Sequence, residues 1–305
     1  MYDTFVKVEE TRWTMRELML TRSTFKNFPY TRYASDVTFQ HSDQPTGNFN
    51  EAKKFYSRKH HLYGHKVEVS VLPKGIAINC IAWSPAATSD YNVFLDNVEF
   101  HHSAMQKLEG EADLNDEGPA QDRFENDWAI LVEKGYQGLQ RGFRTIQPKK
   151  KARGAPPLSA DENRENDRIS HDRVIVENFF GRLKSLWGVY SHKWAWDRNT
   201  YNMNFRVCLA ATNFHVGCNP LRREDGEYYR RHESRLIKIG TYIEEAKKRK
   251  REQYRDNRRA RLEITPRRTR RRQSGDTLRE NNSRNQAAKV VTHPKPRMLF
   301  ASKKP

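Results

Sequence analysis

The chain has 305 residues, 36% of them hydrophobic and 31% charged, with a formal net charge of +18 and a pI near 9.8. So large a cationic excess points to a polyanionic partner, and nucleic acid is the usual one for a chain without a lipid anchor. No apolar run approaches ~18 residues and the first twenty carry no signal-type apolar stretch, so neither a membrane span nor a secretory leader is expected.

In chain order, RYASDVTFQ (Arg32 to Gln40) predicts a short strand, with Asp36 where an apolar residue would be expected. KVEVSVLP (Lys66 to Pro73) and GIAINCIAWSP (Gly75 to Pro85) are β-branched runs separated by a Pro-Lys-Gly turn, the pattern of a hairpin. SDYNVFLDNVEFHHSAMQKL (Ser89 to Leu108) opens on a Ser-Asp cap and continues at helical period. An acidic loop follows from Glu109 to Asp122, then WAILVEKGY (Trp128 to Tyr136), which predicts a buried strand ending in a turn. A Pro- and Lys-rich connection leads into a long helix around HDRVIVENFFGRLK (His171 to Lys184), and a further helix is predicted from about Tyr201 to Val216.

From Leu221 the composition shifts to Arg, Lys, Glu, Gln and Asn. EEAKKRKREQYRDNRRARLEI predicts a charged, exposed helix, and PRRTRRRQSGDTLRENNSRNQ a disordered segment. The expected organisation is a lead-in segment at 1–30, one mixed α/β layered domain at 31–220, and a basic helical then disordered tail at 221–305.

On the long helix, Arg173, Glu177, Gly181 and Lys184 fall at i, i+4, i+8 and i+11, a single stripe. Val176, Phe179, Phe180, Leu183 and Leu186 form a neighbouring apolar stripe for the core. A carboxylate so placed suits a hard cation through oxygen ligands, and the flanking cations suit phosphate. The competing reading is an amphipathic helix with ordinary Arg–Glu pairing. Asp36 in the first strand, Glu133 at the end of Ala129 to Val132, and Glu177 on the helix are the carboxylates that a two-metal phosphodiester site needs. Each has a plainer alternative, Asp36 as an Asx-turn and Glu133 as a solvated strand end.

The chain resembles the DDE superfamily endonucleases, specifically Harbinger-type transposases and their domesticated relatives. The matching segments are SDVTF around Asp36, YSRKHHLYGHKVEVSVLPKGIAI, PAATSD ending in Asp90, VEKGYQGL around Glu133, and NDRISHDRVIVENFFGRLK around Glu177, together covering roughly Tyr33 to Asn219. The resemblance implies a ribonuclease-H-like fold, a mixed sheet flanked by helices, and DNA strand cleavage with two divalent cations, Mg²⁺ or Mn²⁺. It places Asp36, Glu133 and Glu177 as the catalytic, metal-binding triad, with Arg173 and Lys184 holding phosphate. Asp90 matches a recurrent family aspartate and is a further candidate ligand, although an acid after Ser89 also suits a helix start without any metal.

Three positions depart from the family pattern. Glu133 stands where aspartate is usual, Ala86 where glycine is usual before Asp90, and Ser170 where related insertion-sequence enzymes have tyrosine. Since a ligand one methylene longer is displaced from its usual place, a catalytically silent, domesticated DNA-binding protein is the alternative reading.

Arg58, Lys59 and Lys66, and separately Lys149, Lys150, Lys151 and Arg153, are the expected DNA-backbone contacts, against the reading of solvated basic loops. His60, His61, His65, His101 and His102 match no tetrahedral zinc spacing and are expected at the surface or on phosphate. Cys80, Cys208 and Cys218 are far apart and form no CxxC, which fits a reducing compartment. The clusters Lys247 to Arg251 and Arg267 to Arg272 resemble nuclear-localisation signals. Only about thirty-five residues precede Asp36, so the chain is expected to be either a truncated copy or one relying on a separate DNA-binding partner, for which the resemblance implies a Myb-like protein, with homo-oligomerisation left open.

Overall fold

The computed structural model describes residues 1–151, 154, 156–221 and 223–264. After a π-helical turn at Asp3–Lys7 come α1 (Val8–Arg12) and α2 (Met15–Leu20), then β1 (Thr31–His41), α3 (Phe49–Lys54), β2 (Tyr56–Ser57) and β3 (Leu62–Val71). β4 (Ala77–Cys80), β5 (Ser84–Pro85), α4 (Asp90–Leu95), α5 (Val98–Met105), β6 (Ala129–Val132) and β7 (Thr145–Ile146) follow. The chain continues as α6 (Ala160–Leu186), α7 (Tyr201–Cys218) and α8 (Arg223–Ile264).

The sheet has the order β2-β3-β1-β6-β7, with β4 and β5 also pairing with β3. β1 is antiparallel to β3 and parallel to β6, which is parallel to β7. Three antiparallel strands extended by two parallel ones, with helices on both faces, make the ribonuclease-H-like arrangement. β1 lies at the centre with both faces covered, which is why it reads as a nearly continuous buried strand.

On one face Val67, Val69 and Val71 pack against Val176, Phe179, Phe180 and Leu183 of α6 and Phe205 and Leu209 of α7. On the other, Tyr33, Ile130 and Val132 meet Leu18 of α2, Phe94 of α4 and Met105 of α5. Ser159 caps α6 in a capping box with Glu162, fixing where the long helix starts. Leu186, counted with the apolar stripe, is 37% exposed because α6 ends beside it.

Several elements depart from the sequence expectation. The single helix expected over Ser89 to Leu108 is broken at Asp96 and Asn97, where Asn97 turns inward to donate to the buried Glu68 (3.3 Å). The second hairpin run is split into β4 and β5, and the intervening Trp83 N–H is taken by Asn202 (2.8 Å). The first thirty residues are ordered against the core through Val6, Met15, Leu18, Phe25 and Phe28. At the other end one compact unit runs from Met1 to Gln253 and takes in the first part of α8, whose Leu236 packs with Phe39, Leu62 and Ala86.

His60, His65 and His101 are corrections: they are 5%, 0% and 0% exposed, not surface groups. His60 stacks on Phe39, and His101 pairs with Glu68 (2.7 Å) while stacking on Phe94. Among the described residues, no helix is long and apolar enough to cross a membrane. The expected disordered segment and the cluster Arg267 to Arg272 lie outside the described residues.

Candidate active site

Asp36 sits in the middle of β1 opposite Val69, so its side chain points to the face covered by α6. There it accepts the Val37 N–H (2.8 Å) and Arg173 Nη2 (2.9 Å). Arg173 Nη1 also reaches Glu177 Oε1 at 3.4 Å, so one guanidinium joins the first and last carboxylates of the expected triad. Arg173 is only 6% exposed.

Glu133 follows β6 directly. The parallel register pairs Ser35 with Val132, so the next residues, Asp36 at the middle of β1 and Glu133 just past the end of β6, stand side by side. A 3₁₀ turn at Lys134–Tyr136 then swings the chain away, closed by Tyr136 N–H to Glu133 O (3.1 Å). Tyr136 anchors that turn from below, its hydroxyl donating to the buried Glu68 (3.3 Å).

The electrostatics tie these groups together. Burial raises the Asp36 carboxyl to about 7; Arg173 opposes the rise, and the nearby Glu133 and Asp90 add to it. Burial also raises Glu177, against the pull of Arg173 and Arg230, with Glu133 and Glu233 pushing further. For Arg173 burial opposes the charge, but Asp36, Glu133 and Glu177 outweigh it and hold the guanidinium more firmly protonated than usual.

The donor set is all carboxylate oxygen, the chemistry of a hard divalent cation, and its mutually repelling charges, buried at Asp36 and half-buried at Glu133 and Glu177, are what such a cation relieves. By that measure these residues fit Mg²⁺ or Mn²⁺. Among the described residues, no three His, Cys, Asp or Glu side chains already converge at metal-holding distance, and Arg173 supplies the positive charge between Asp36 and Glu177.

Asp90 opens α4 after the Ser89 cap, as the sequence indicates, and pairs with Lys66 Nζ at 2.9 Å. It also lies against the turn after Glu133: a Cβ on Gly135 would stand 2.6 Å from Asp90 Oδ2, so only glycine lets the two approach without displacing the aspartate. Arg58, Lys59 and Lys66 line a cleft of about 420 Å³ with Asp90 and Gly135 as its neighbours. Lys59 is also bound to Glu233 of α8 (2.8 Å).

The second basic group precedes α6. Lys149 pairs with Glu162 (3.5 Å), Lys150 and Lys151 are exposed, and Arg153 lies outside the described residues. Lys184 is placed differently from a surface phosphate ligand: it is 3% exposed, and burial lowers its ammonium to about 7, with Glu233 opposing.

Sequence reasoning did not foresee three groups of contributors. Asp172, beside Arg173, accepts the N–H groups of Asn27 (2.7 Å) and Phe28 (3.1 Å) and ties the N-terminal segment to α6. Glu68, His101 and Tyr136 form a buried network beneath the Glu133 turn, signalled only by an acid at a strand position that faces inward. Arg230 and Glu233 approach the site from α8, and only contacts across the fold reveal them.

A family model described as DDE superfamily endonuclease matches residues 36–213, a span that starts at Asp36, includes Glu133 and Glu177, and ends before α8. Comparison with curated proteins and with solved structures gave no match. On that family match, over more than half its length, this chain belongs to the DDE superfamily endonucleases.

Proposed function

We propose that this endonuclease is a transposase-derived, divalent-metal-dependent enzyme of the Harbinger type that cleaves DNA phosphodiester bonds. The observation that carries the reading is the convergence of Asp36 and Glu177 on Arg173, with Glu133 adjacent by strand register, beside a cleft lined by Arg58, Lys59 and Lys66. Asp36, Glu133 and Glu177 hold the cations, with Asp90 as a further ligand when Lys66 releases it. Bound Mg²⁺ or Mn²⁺ supplies Lewis-acid activation of the attacking water or 3′-hydroxyl and neutralises charge on the leaving oxygen. Arg173 opposes the rise that burial imposes on Asp36 and Glu177 and orients both carboxylates, and its guanidinium would be free to take a phosphate oxygen where cations held those carboxylates. Arg58, Lys59, Lys66, Lys149, Lys150 and Lys151 take backbone phosphates, which fixes position and carries no base sequence. Base recognition then falls to a separate Myb-like partner, and the exposed cluster Lys247 to Arg251 directs the protein to the nucleus.

A specific observation favours a second reading, a silent DNA-binding relative: Glu133 is one methylene longer than the usual aspartate, and Asp36 and Glu177 are already paired with Arg173. Thermal melting separates the two. A metal site formed by these carboxylates raises the melting temperature in Mg²⁺ or Mn²⁺ by mass action, and Glu177→Ala removes the rise. A silent relative binds DNA with no metal response in either protein.

A further inference from the structure

Helix α8 lies outside the span shared with the family, yet it reaches the site with both signs of charge. Glu233 Oε1 lies 2.8 Å from Lys59 Nζ, and Arg230 Nη1 lies 3.7 Å from Glu177 Oε2. The helix is seated by packing as well as by charge. Leu236 joins Phe39, Leu62 and Ala86 in a small apolar cluster, and His232 is 8% exposed. Gly240 runs against the His60 carbonyl, so closely that a Cβ there would overlap it. One turn further on, Glu244 accepts from the Tyr56 hydroxyl and pairs with His61 at 3.1 Å.

Lys59 is the cation in that cleft on which Glu233 sits, and a carboxylate at 2.8 Å from an ammonium takes the position and the charge of a backbone phosphate oxygen. Arg230 acts in the complementary sense, covering a carboxylate that a cation would otherwise face. We propose that α8 masks the site from within the chain: docked as seen, Glu233 competes with DNA phosphate for Lys59, and binding of DNA displaces that contact. The inference rests on the reading of the Lys59 cleft as a DNA-backbone surface.

The test is binding of a labelled DNA duplex to the full chain by fluorescence anisotropy across a salt series, with no metal and no turnover required. Glu233→Gln frees Lys59 for one more phosphate, so it tightens binding about five- to tenfold and steepens the dependence of log K on log salt by about 0.9. Glu245→Gln removes the same charge from a residue that pairs with Arg249 along its own helix (3.6 Å), and it changes affinity less than about twofold, with no added phosphate contact in the salt slope. In a Lys59→Ala background the gain from Glu233→Gln disappears. Equal gains for Glu233→Gln and Glu245→Gln, or a gain that survives Lys59→Ala, overturn the masking and leave the DNA reading standing. Absence of binding by the wild type and Glu233→Gln alike overturns both.

Discussion

At the scale of single residues, the site turns on Arg173, and its two ion pairs differ in kind. The pair with Asp36 is buried on both sides, whereas Glu177 is 21% exposed and lies at 3.4 Å. Removing one partner of a buried pair leaves an uncompensated charge, so Arg173→Met should cost about 3 kcal/mol or more in urea denaturation, and Glu177→Ala no more than about 1 kcal/mol. Equal costs would mean that Arg173 and Asp36 are not the buried couple described. The same contrast makes Glu177→Ala a usable control, since the protein carrying it stays folded. The Arg173–Glu177 contact was legible in the sequence because i and i+4 are neighbours on any helix. The Asp36–Arg173 contact was not, because helical and strand periods say nothing about which strand residue a distant helix will meet. Lys184 shows the limit of such patterns: its place on the charged stripe is real, but the packing of α6 buries it instead of offering it to solvent.

At the scale of elements, the antiparallel β3–β4 hairpin could be read from two β-branched runs around a Pro-Lys-Gly turn, and α6 from its charged and apolar stripes. What could not be read was set by tertiary contacts. Asn97 breaks a continuous helical pattern to reach Glu68, and β7, two residues long, exists only because β6 offers it an edge. The Glu68–His101 pair is fully buried and also receives Tyr136, so Glu68→Ala should cost about 3–5 kcal/mol, against about 1 kcal/mol for the helix cap in Ser89→Ala. Comparable losses in chemical denaturation would remove the network as the support of the Glu133 turn. The seat of α8 gives a further expectation. Gly240→Val pushes a side chain into the His60 carbonyl, so amide exchange across 230–244 should accelerate markedly while β1 and β3 stay protected. Unchanged protection of α8 would show that it does not rest on that turn.

For the whole molecule, the net charge of +18 indicated a nucleic-acid partner but not where the histidines lie. Burial lowers His65 to about 4, with Arg198 adding to the effect, and neither ring nitrogen has a hydrogen-bond partner among the described residues. His60, lowered to about 4 by burial and Lys59, and His232, lowered to about 3 by burial and Lys184, behave alike. A histidine depressed in the folded state contributes its full stability above its unfolded pKa of about 6.5 and loses it progressively as pH falls towards the folded value. Asp36, raised to about 7, works in the opposite direction over the same range, so the contribution of one histidine is best isolated by replacing it. His65→Phe keeps the aromatic packing against Trp83 and Tyr201 and cannot be protonated. Its stability relative to wild type should therefore increase steadily from pH 6.5 down to about pH 4, at about 1.4 kcal/mol per pH unit at most. A pH-independent difference would contradict the buried, neutral His65.

If carboxylates from two parallel strands and one helix form a DNA-cutting site, the purified chain cuts DNA when a divalent cation is supplied. Nicking of supercoiled plasmid by the purified full chain, in Mg²⁺ or Mn²⁺, tests it most directly, with EDTA and Glu177→Ala as controls and Glu133→Asp as the restored ligand. The expected result is metal-dependent nicking that EDTA and Glu177→Ala abolish and Glu133→Asp preserves or increases. DNA binding without nicking in either metal, by both the wild type and Glu133→Asp, would contradict it.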